Sequence, residues 1–168
     1  MPLGSLLGFG CNRFSKLYSP SKRNRRLVAI DEAVVKINGY RCHLWAAIDV
    51  DSREVLAVYV SRGRSMLNAL IFLKRVLKAC DNKPVIVVDR GPWYQYALKR
   101  LGIEYFHETF GQRNKIERFF REIKERTRRF YNNINTKTVK SIEEIATAIA
   151  LTHNTLTQSR SQGGVILT

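Results

Sequence analysis

Two short apolar runs, each closed by an aspartate, limit what this chain can fold into. Leu27-Val28-Ala29-Ile30 leads into Asp31, and Val85-Ile86-Val87-Val88 leads into Asp89. The second run is β-branched and apolar throughout, as a central strand buried on both faces would be. A carboxylate at the tip of such a strand costs free energy unless it is paired or holds a cation. Two of them predict a sheet with an acidic edge. A third acid, Glu117, lies in the basic, helix-patterned stretch Arg113-Asn114-Lys115-Ile116-Glu117-Arg118. Together the three offer hard oxygen donors for two divalent ions, which is the equipment of phosphodiester chemistry.

Turn and cap residues set the order of elements. Residues 27–37 form a β-rich run, and Asn38-Gly39 is a hairpin turn signal. Residues 41–50 make a second strand with Leu44, Ala46 and Ile48 alternating. Asp51-Ser52 turns the chain into a third strand, Val55 to Val60. Ser65 caps a helix over 65–80 whose apolar positions are Met66, Leu70, Leu73 and Leu77. Asn82, Lys83 and Pro84 end it before the Val85 strand. Pro92 opens a helix that runs to Leu101, Gly102 closes it, and Ile103 to His107 is a fifth strand. From Arg113 to Phe130 a helix carries one stripe of Ile116, Phe119, Ile123, Thr127 and Phe130. Arg113, Glu117, Arg121, Lys124 and Arg128 fall on a different face. Ser141 with Glu144 reads as a capping box for a last helix, with Ile142, Ile145, Ile149 and Leu156 as its core side. The order β-β-β-α-β-α-β-α-α is that of an α/β, ribonuclease H-like mixed five-stranded sheet with flanking helices. Residues 1–26 read as a disordered or basic arm, residues 27–156 as the core and residues 157–168 as a loose tail.

The charge points to a polyanion. Among 168 residues, Lys and Arg outnumber Asp and Glu by 29 to 14, and they cluster at 22–26 and 113–129. Nucleic acid is the expected partner, and Lys124, Arg113, Arg121, Arg128 and Lys115 are the candidate phosphate contacts. No apolar run approaches the length of a membrane span, and no basic amphipathic helix stands alone at a terminus, so no membrane partner is expected. Cys11, Cys42 and Cys80 form no CxxC pair, and His43, His107 and His153 lack metal spacing, which argues against zinc. The odd cysteine count, with no signal peptide in view, fits a reducing cytoplasm, and the basic charge an association with the nucleoid.

Other carboxylates compete for the acidic edge. Glu32 adjoins Asp31, but in an extended strand it points to the opposite face. Asp49 ends the second strand and is the first reserve, while Asp51 serves the turn. Glu122 and Glu125 share the helix with Glu117 but are rotated from it by about 140° and 80°.

With these residues in place, 27–156 resemble the DDE catalytic core of insertion-sequence transposases of the small single-gene bacterial and archaeal type, within the retroviral-integrase-like superfamily. The likeness rests on Val28-Ala29-Ile30-Asp31-Glu32, Trp45-Ala46-Ala47-Ile48-Asp49, Val87-Val88-Asp89-Arg90-Gly91-Pro92 and Asn114-Lys115-Ile116-Glu117. Lys124 fills the family's basic position two helical turns past the glutamate. The spacing from Asp89 to Glu117 is shorter than the family's usual one. The resemblance implies that Asp31, Asp89 and Glu117 are catalytic and hold two Mg²⁺ or Mn²⁺ ions. It implies cleavage at transposon ends followed by strand transfer into target DNA, by a homodimer or higher oligomer on DNA. Family members usually carry a DNA-reading helix-turn-helix before the core, and 26 residues are too few for one, so a truncated copy is one reading. A catalytically silent DNA-binding remnant and a ribonuclease H-like nuclease, its fourth carboxylate Asp49 or Glu122, are the alternatives.

Overall fold

The computed structural model describes residues 17–107, 114–126 and 138–162. The elements are β1 (Leu27–Ile37), β2 (Tyr40–Asp49), β3 (Val55–Ser61), α1 (Met66–Leu77), β4 (Val85–Val88), α2 (Pro92–Leu101), β5 (Tyr105–His107), α3 (Asn114–Arg126) and α4 (Val139–Gln162). One sheet has the strand order β3-β2-β1-β4-β5. β2 runs antiparallel to β1 and to β3, whereas β4 is parallel to β1 and β5 to β4.

Local chemistry explains the boundaries. Asn38 and Gly39 both take positive φ, 50° and 80°, as a tight hairpin with the strands' own twist demands. Ser65 accepts a hydrogen bond from the Asn68 N–H and starts α1. Pro92 opens α2, and Gly102 closes it in the left-handed conformation at φ 62°. Between Ala47 and Ile48 the β2–β3 register slips, so Leu56 and Ala57 both face the same hydrophobic cluster.

The sheet separates two apolar layers. Leu27, Ala29, Val35 and Ile37 of β1 pack with Ile116, Phe119 and Phe120 of α3 and with Ile142, Ala146, Ile149 and Ala150 of α4. Val28, Ile30 and Trp45 face the other way, onto Phe72, Leu73 and Val76 of α1 and Tyr94, Ala97 and Leu98 of α2. Alternation along β1 therefore feeds both layers, and the site sits where β4 stops between them.

Four expectations are revised. The expected arm is part of the fold from residue 17 on. The Arg25 side chain is fully buried, with Nη1 donating to Asp49 Oδ2 (2.7 Å) and Nη2 to Glu54 Oε2 (2.8 Å), and Tyr18 donates to the Val55 carbonyl at 2.7 Å. The cap of α4 is Thr138, whose hydroxyl accepts from the Ser141 N–H at 3.3 Å; Ser141 is already inside the helix. Leu156 is exposed, and the buried residue two positions earlier is Asn154. Its amide accepts from the Val55 N–H (2.7 Å) and donates to the Val55 carbonyl (3.0 Å), while Glu143 accepts from the Val60 N–H at 3.0 Å. α4 thus seals the edge strand with side-chain hydrogen bonds, one solution to the unpaired groups of a sheet edge. It runs to Gln162, into the expected tail.

Candidate active site

Parallel pairing creates the site. Leu27 pairs with Val85, Val28 with Ile86 and Ala29 with Val87. Continued by two residues, this register sets Asp31 beside Asp89, just past the end of β4. One carboxylate oxygen each from Asp31, Glu32 and Asp89 lies within 4.8 Å of the others, and all three residues are half-buried. The presence of Glu32 corrects the sequence reading. Its strand position follows Val28 and Ile30 onto the α1–α2 side, as alternation requires, yet its carboxylate still reaches the two aspartates. β4 ends at Val88, so no further β4 residue stands between the two faces at this level.

The surroundings hold each group in place. Asp31 Oδ1 accepts the Glu32 N–H at 2.9 Å, and Asp89 Oδ1 accepts the Gly91 N–H at 2.8 Å. The Asp89 carbonyl accepts from His107 Nδ1 at 2.8 Å. A carbonyl only accepts, so this bond puts a proton on Nδ1. Gly91 is required by close approach: a Cβ there would meet the Trp93 ring at 2.7 Å and Asp89 Oδ1 at 2.9 Å. Glu32 accepts hydrogen bonds from the fully buried Tyr94 hydroxyl and from Arg64 Nη1 (3.3 Å). The Arg64 guanidinium in turn lies 4.4 Å above the Trp93 ring, a cation–π contact that fixes it at the site.

The electrostatics suit a cation. Burial pushes the Glu32 carboxyl up, and the charges of Asp89 and Asp31 add to that, against the hydrogen bonds from Tyr94 and Arg64. The Tyr94 phenol is held well above its ordinary value by burial and by the Glu32 charge, so it stays a donor. Three crowded carboxylates repel one another, and a divalent ion relieves that repulsion. Oxygen-only donors at this separation fit Mg²⁺ or Mn²⁺ and do not resemble a zinc site.

The other expected residues are placed differently. Glu117 lies exposed in the first turn of α3, and its carboxylate is outside the cluster. Lys115, expected at the DNA, donates instead to the Val50 carbonyl. Glu117 projects about 200° around the helix from Lys115, hence away from that end of the sheet. Arg121 is exposed about 40° from Glu117. Arg113, Thr127, Arg128 and Phe130 lie outside the described residues, as do the side chains of Ile123 and Lys124 within α3. Asp49 is not a reserve for the site. It is buried in the ion pair with Arg25 and accepts from Ser52 Oγ at 2.8 Å, and its β1 partner is Val28, three residues short of Asp31. Burial alone would raise its carboxyl; the hydrogen bonds from Arg25, Ser52 and the Asp51 N–H win and hold it below the ordinary aspartate value. Glu122 is paired with His153 at 2.7 Å and is likewise outside the cluster. Among the described residues, no helix is long and apolar enough to cross a membrane.

The family described as a DDE domain, of the IS240 transposase type, matches residues 26–158. An uncharacterized protein of Methanocaldococcus jannaschii is 45% identical over 116 residues, which are 69% of this chain and 54% of that protein. The transposase for insertion sequence-like element IS431mec of Staphylococcus aureus is 32% identical over 123 residues, 68% of this chain and 54% of that protein. The chain thus spans about half the length of these two relatives. The HTLV-2 integrase catalytic core domain in complex with magnesium (trimeric form) has the same fold, with a TM-score of 0.58 at 16% identity over 74% of this chain and 83% of that chain. An acidic sheet edge, an integrase-core fold and a family match over most of the sequence lead to one conclusion: the chain belongs to the DDE domain family of IS240-type transposases.

Proposed function

We propose that this chain is the catalytic core of a DNA transposition enzyme, cutting strands at the ends of a mobile element and joining them to target DNA. The observation that carries this is the convergence of Asp31, Glu32 and Asp89 within 4.8 Å at the end of β4. Asp31 and Asp89 would hold two Mg²⁺ or Mn²⁺ ions, with Glu117 supplied by α3, and the HTLV-2 integrase core with its magnesium supports that choice. The ions would lower the pKa of the attacking water or 3′-hydroxyl and stabilise the leaving oxygen. The chain's own residues do the positioning. The Gly91 N–H and the His107 ring hold Asp89, the Glu32 N–H holds Asp31, and Arg64 stands ready to meet a phosphate. Arg121, Lys124, Arg113 and Arg128 would contact the DNA backbone, giving affinity with little sequence readout. Two DNA ends are joined in one reaction, so the working unit is a dimer or higher oligomer on DNA, acting in the cytoplasm at the nucleoid.

The exposed position of Glu117 favours a second reading, a DNA-binding chain without chemistry. Supercoiled plasmid incubated with Mn²⁺ separates the two. The enzyme reading expects nicking or joining by the wild type, none with EDTA, and none by Asp89→Asn, which still binds DNA. Plasmid untouched by a wild type that binds it supports the silent reading, and equal cutting by Asp89→Asn refutes the acidic site.

A further inference from the structure

We infer that an anion site, separate from the cation-binding acid cluster, grips the phosphodiester backbone of nucleic acid on the side of α3 that faces the β2–β3 turn. A cavity of about 620 Å³ lies between the β2–β3 turn, α3, the end of α4 and the segment before β1. Arg23, Arg53, Arg118 and Arg160 line it, four arginines brought together from four separate parts of the chain. Lys115 anchors this side of α3 to Val50, and Arg118 lies about 60° around the helix from Lys115, whereas Glu117 points about 200° away. The acid cluster is also displaced along the sheet. Asp49, at the turn, pairs with Val28, and Asp31 is about 10 Å further along β1.

The acids bordering the cavity are already neutralised. Glu54 is bound to buried Arg25 at 2.8 Å and to Arg23 at 3.4 Å, and accepts the Ser21 N–H at 3.0 Å. Asp51 takes two hydrogen bonds from Arg26, at 2.6 and 3.1 Å. With Arg23 and Arg25 together balancing Glu54 and Asp49, it is Arg53, Arg118 and Arg160 that give the cavity its net positive field. Its wall is also fixed in shape. His153 of α4 bridges Glu122 of α3 (2.7 Å) and the Arg53 carbonyl (3.1 Å), tying both helices to the turn. Arg53 itself holds a left-handed backbone, φ 62°, where glycine would be the unstrained choice. Guanidinium groups spread around an opening of this size suit successive phosphates of a strand better than one small anion.

This inference rests on the reading that the chain binds DNA, and one experiment tests the two separately. The full chain is titrated with fluorescent duplex DNA by anisotropy over a range of salt, without divalent metal. The pocket variant is Arg118→Ala/Arg160→Ala; a charge-matched control, Lys99→Ala/Arg100→Ala, removes two exposed cations from the last turn of α2. The expected result is that the slope of log affinity against log salt becomes shallower by about 1–2 in the pocket variant and changes little in the control. A third variant, Arg53→Gly, removes a side chain while easing the backbone, so it should melt no earlier than wild type and still bind DNA more weakly. Equal slopes for pocket variant and control, or unweakened binding by Arg53→Gly, overturn the site and leave the DNA reading standing. A wild type that binds no duplex overturns both.

Discussion

Replacing Arg25 by methionine probes the link between the segment before β1 and the sheet. The guanidinium is fully buried and bonds Asp49 at 2.7 Å and Glu54 at 2.8 Å, each of whose side chains is about as buried. Methionine fills most of the space but leaves two carboxylates facing one another without their cation. Removing one partner of a buried ionic group costs about 3–5 kcal/mol. Arg23 remains 3.7 Å from Asp49 and 3.4 Å from Glu54, half-exposed, and offsets part of the loss. The lower end, about 3 kcal/mol, is therefore expected, or a melting temperature lower by about 6–12 °C for a chain of this size. The pH dependence gives a second handle. In the wild type Asp49 titrates below its ordinary value, so its contribution is present above about pH 4 and lost as pH falls through the lowered value. In the variant burial acts unopposed by Arg25 and the carboxyl rises, which favours the folded state at low pH. The stability gap between wild type and Arg25→Met, measured by urea unfolding, should thus be widest at pH 7 and narrow towards pH 4. A variant within 1 kcal/mol of wild type at pH 7, or a gap that does not change with pH, refutes this account of the buried triad.

Gly91→Ala drives a methyl group against Trp93 and Asp89 Oδ1, and overpacking of this kind costs about 1–3 kcal/mol. Gly63→Ala meets nothing within 4 Å and is the control in the same thermal melts. Because the raised Glu32 carboxyl favours folding while protonated, stability should fall as pH rises through and above the ordinary glutamate range near 4.3; Glu32→Gln should flatten that slope in unfolding experiments without metal. Asn154→Ala leaves the Val55 N–H unpaired under α4 while its carbonyl keeps the Tyr18 hydroxyl, and about 1–3 kcal/mol of stability should go, with faster hydrogen exchange confined to the start of β3.

Much of the fold was legible because its signals are local. Asn38-Gly39, Ser65, Pro92 and Gly102 each act through their own backbone geometry, and each does in the structure what its chemistry predicts. The pairing of Asp31 with Asp89 was legible for a related reason, since each ends an apolar run and parallel register aligns such ends. What escaped the sequence depends on distant partners. Arg25 lies in a polar, basic stretch and reads as solvated, and only Asp49 and Glu54, 24 and 29 residues on, make its burial possible. Glu32 was assigned by strand alternation, which is correct for its backbone and silent about a long side chain at the end of a neighbouring strand. Asn154 shows the same limit: one polar residue on an apolar helix stripe gives no hint that it closes a sheet edge 99 residues away.

The central claim, that the carboxylates at the end of β4 form a divalent-metal site, is tested most directly by titrating Mn²⁺ into the DNA-free protein and following binding by calorimetry. Wild type should bind Mn²⁺, Asp89→Asn should lose most of the affinity, and Lys99→Ala should bind as wild type does. Mn²⁺ binding that is absent in the wild type, or unchanged in Asp89→Asn, contradicts the account.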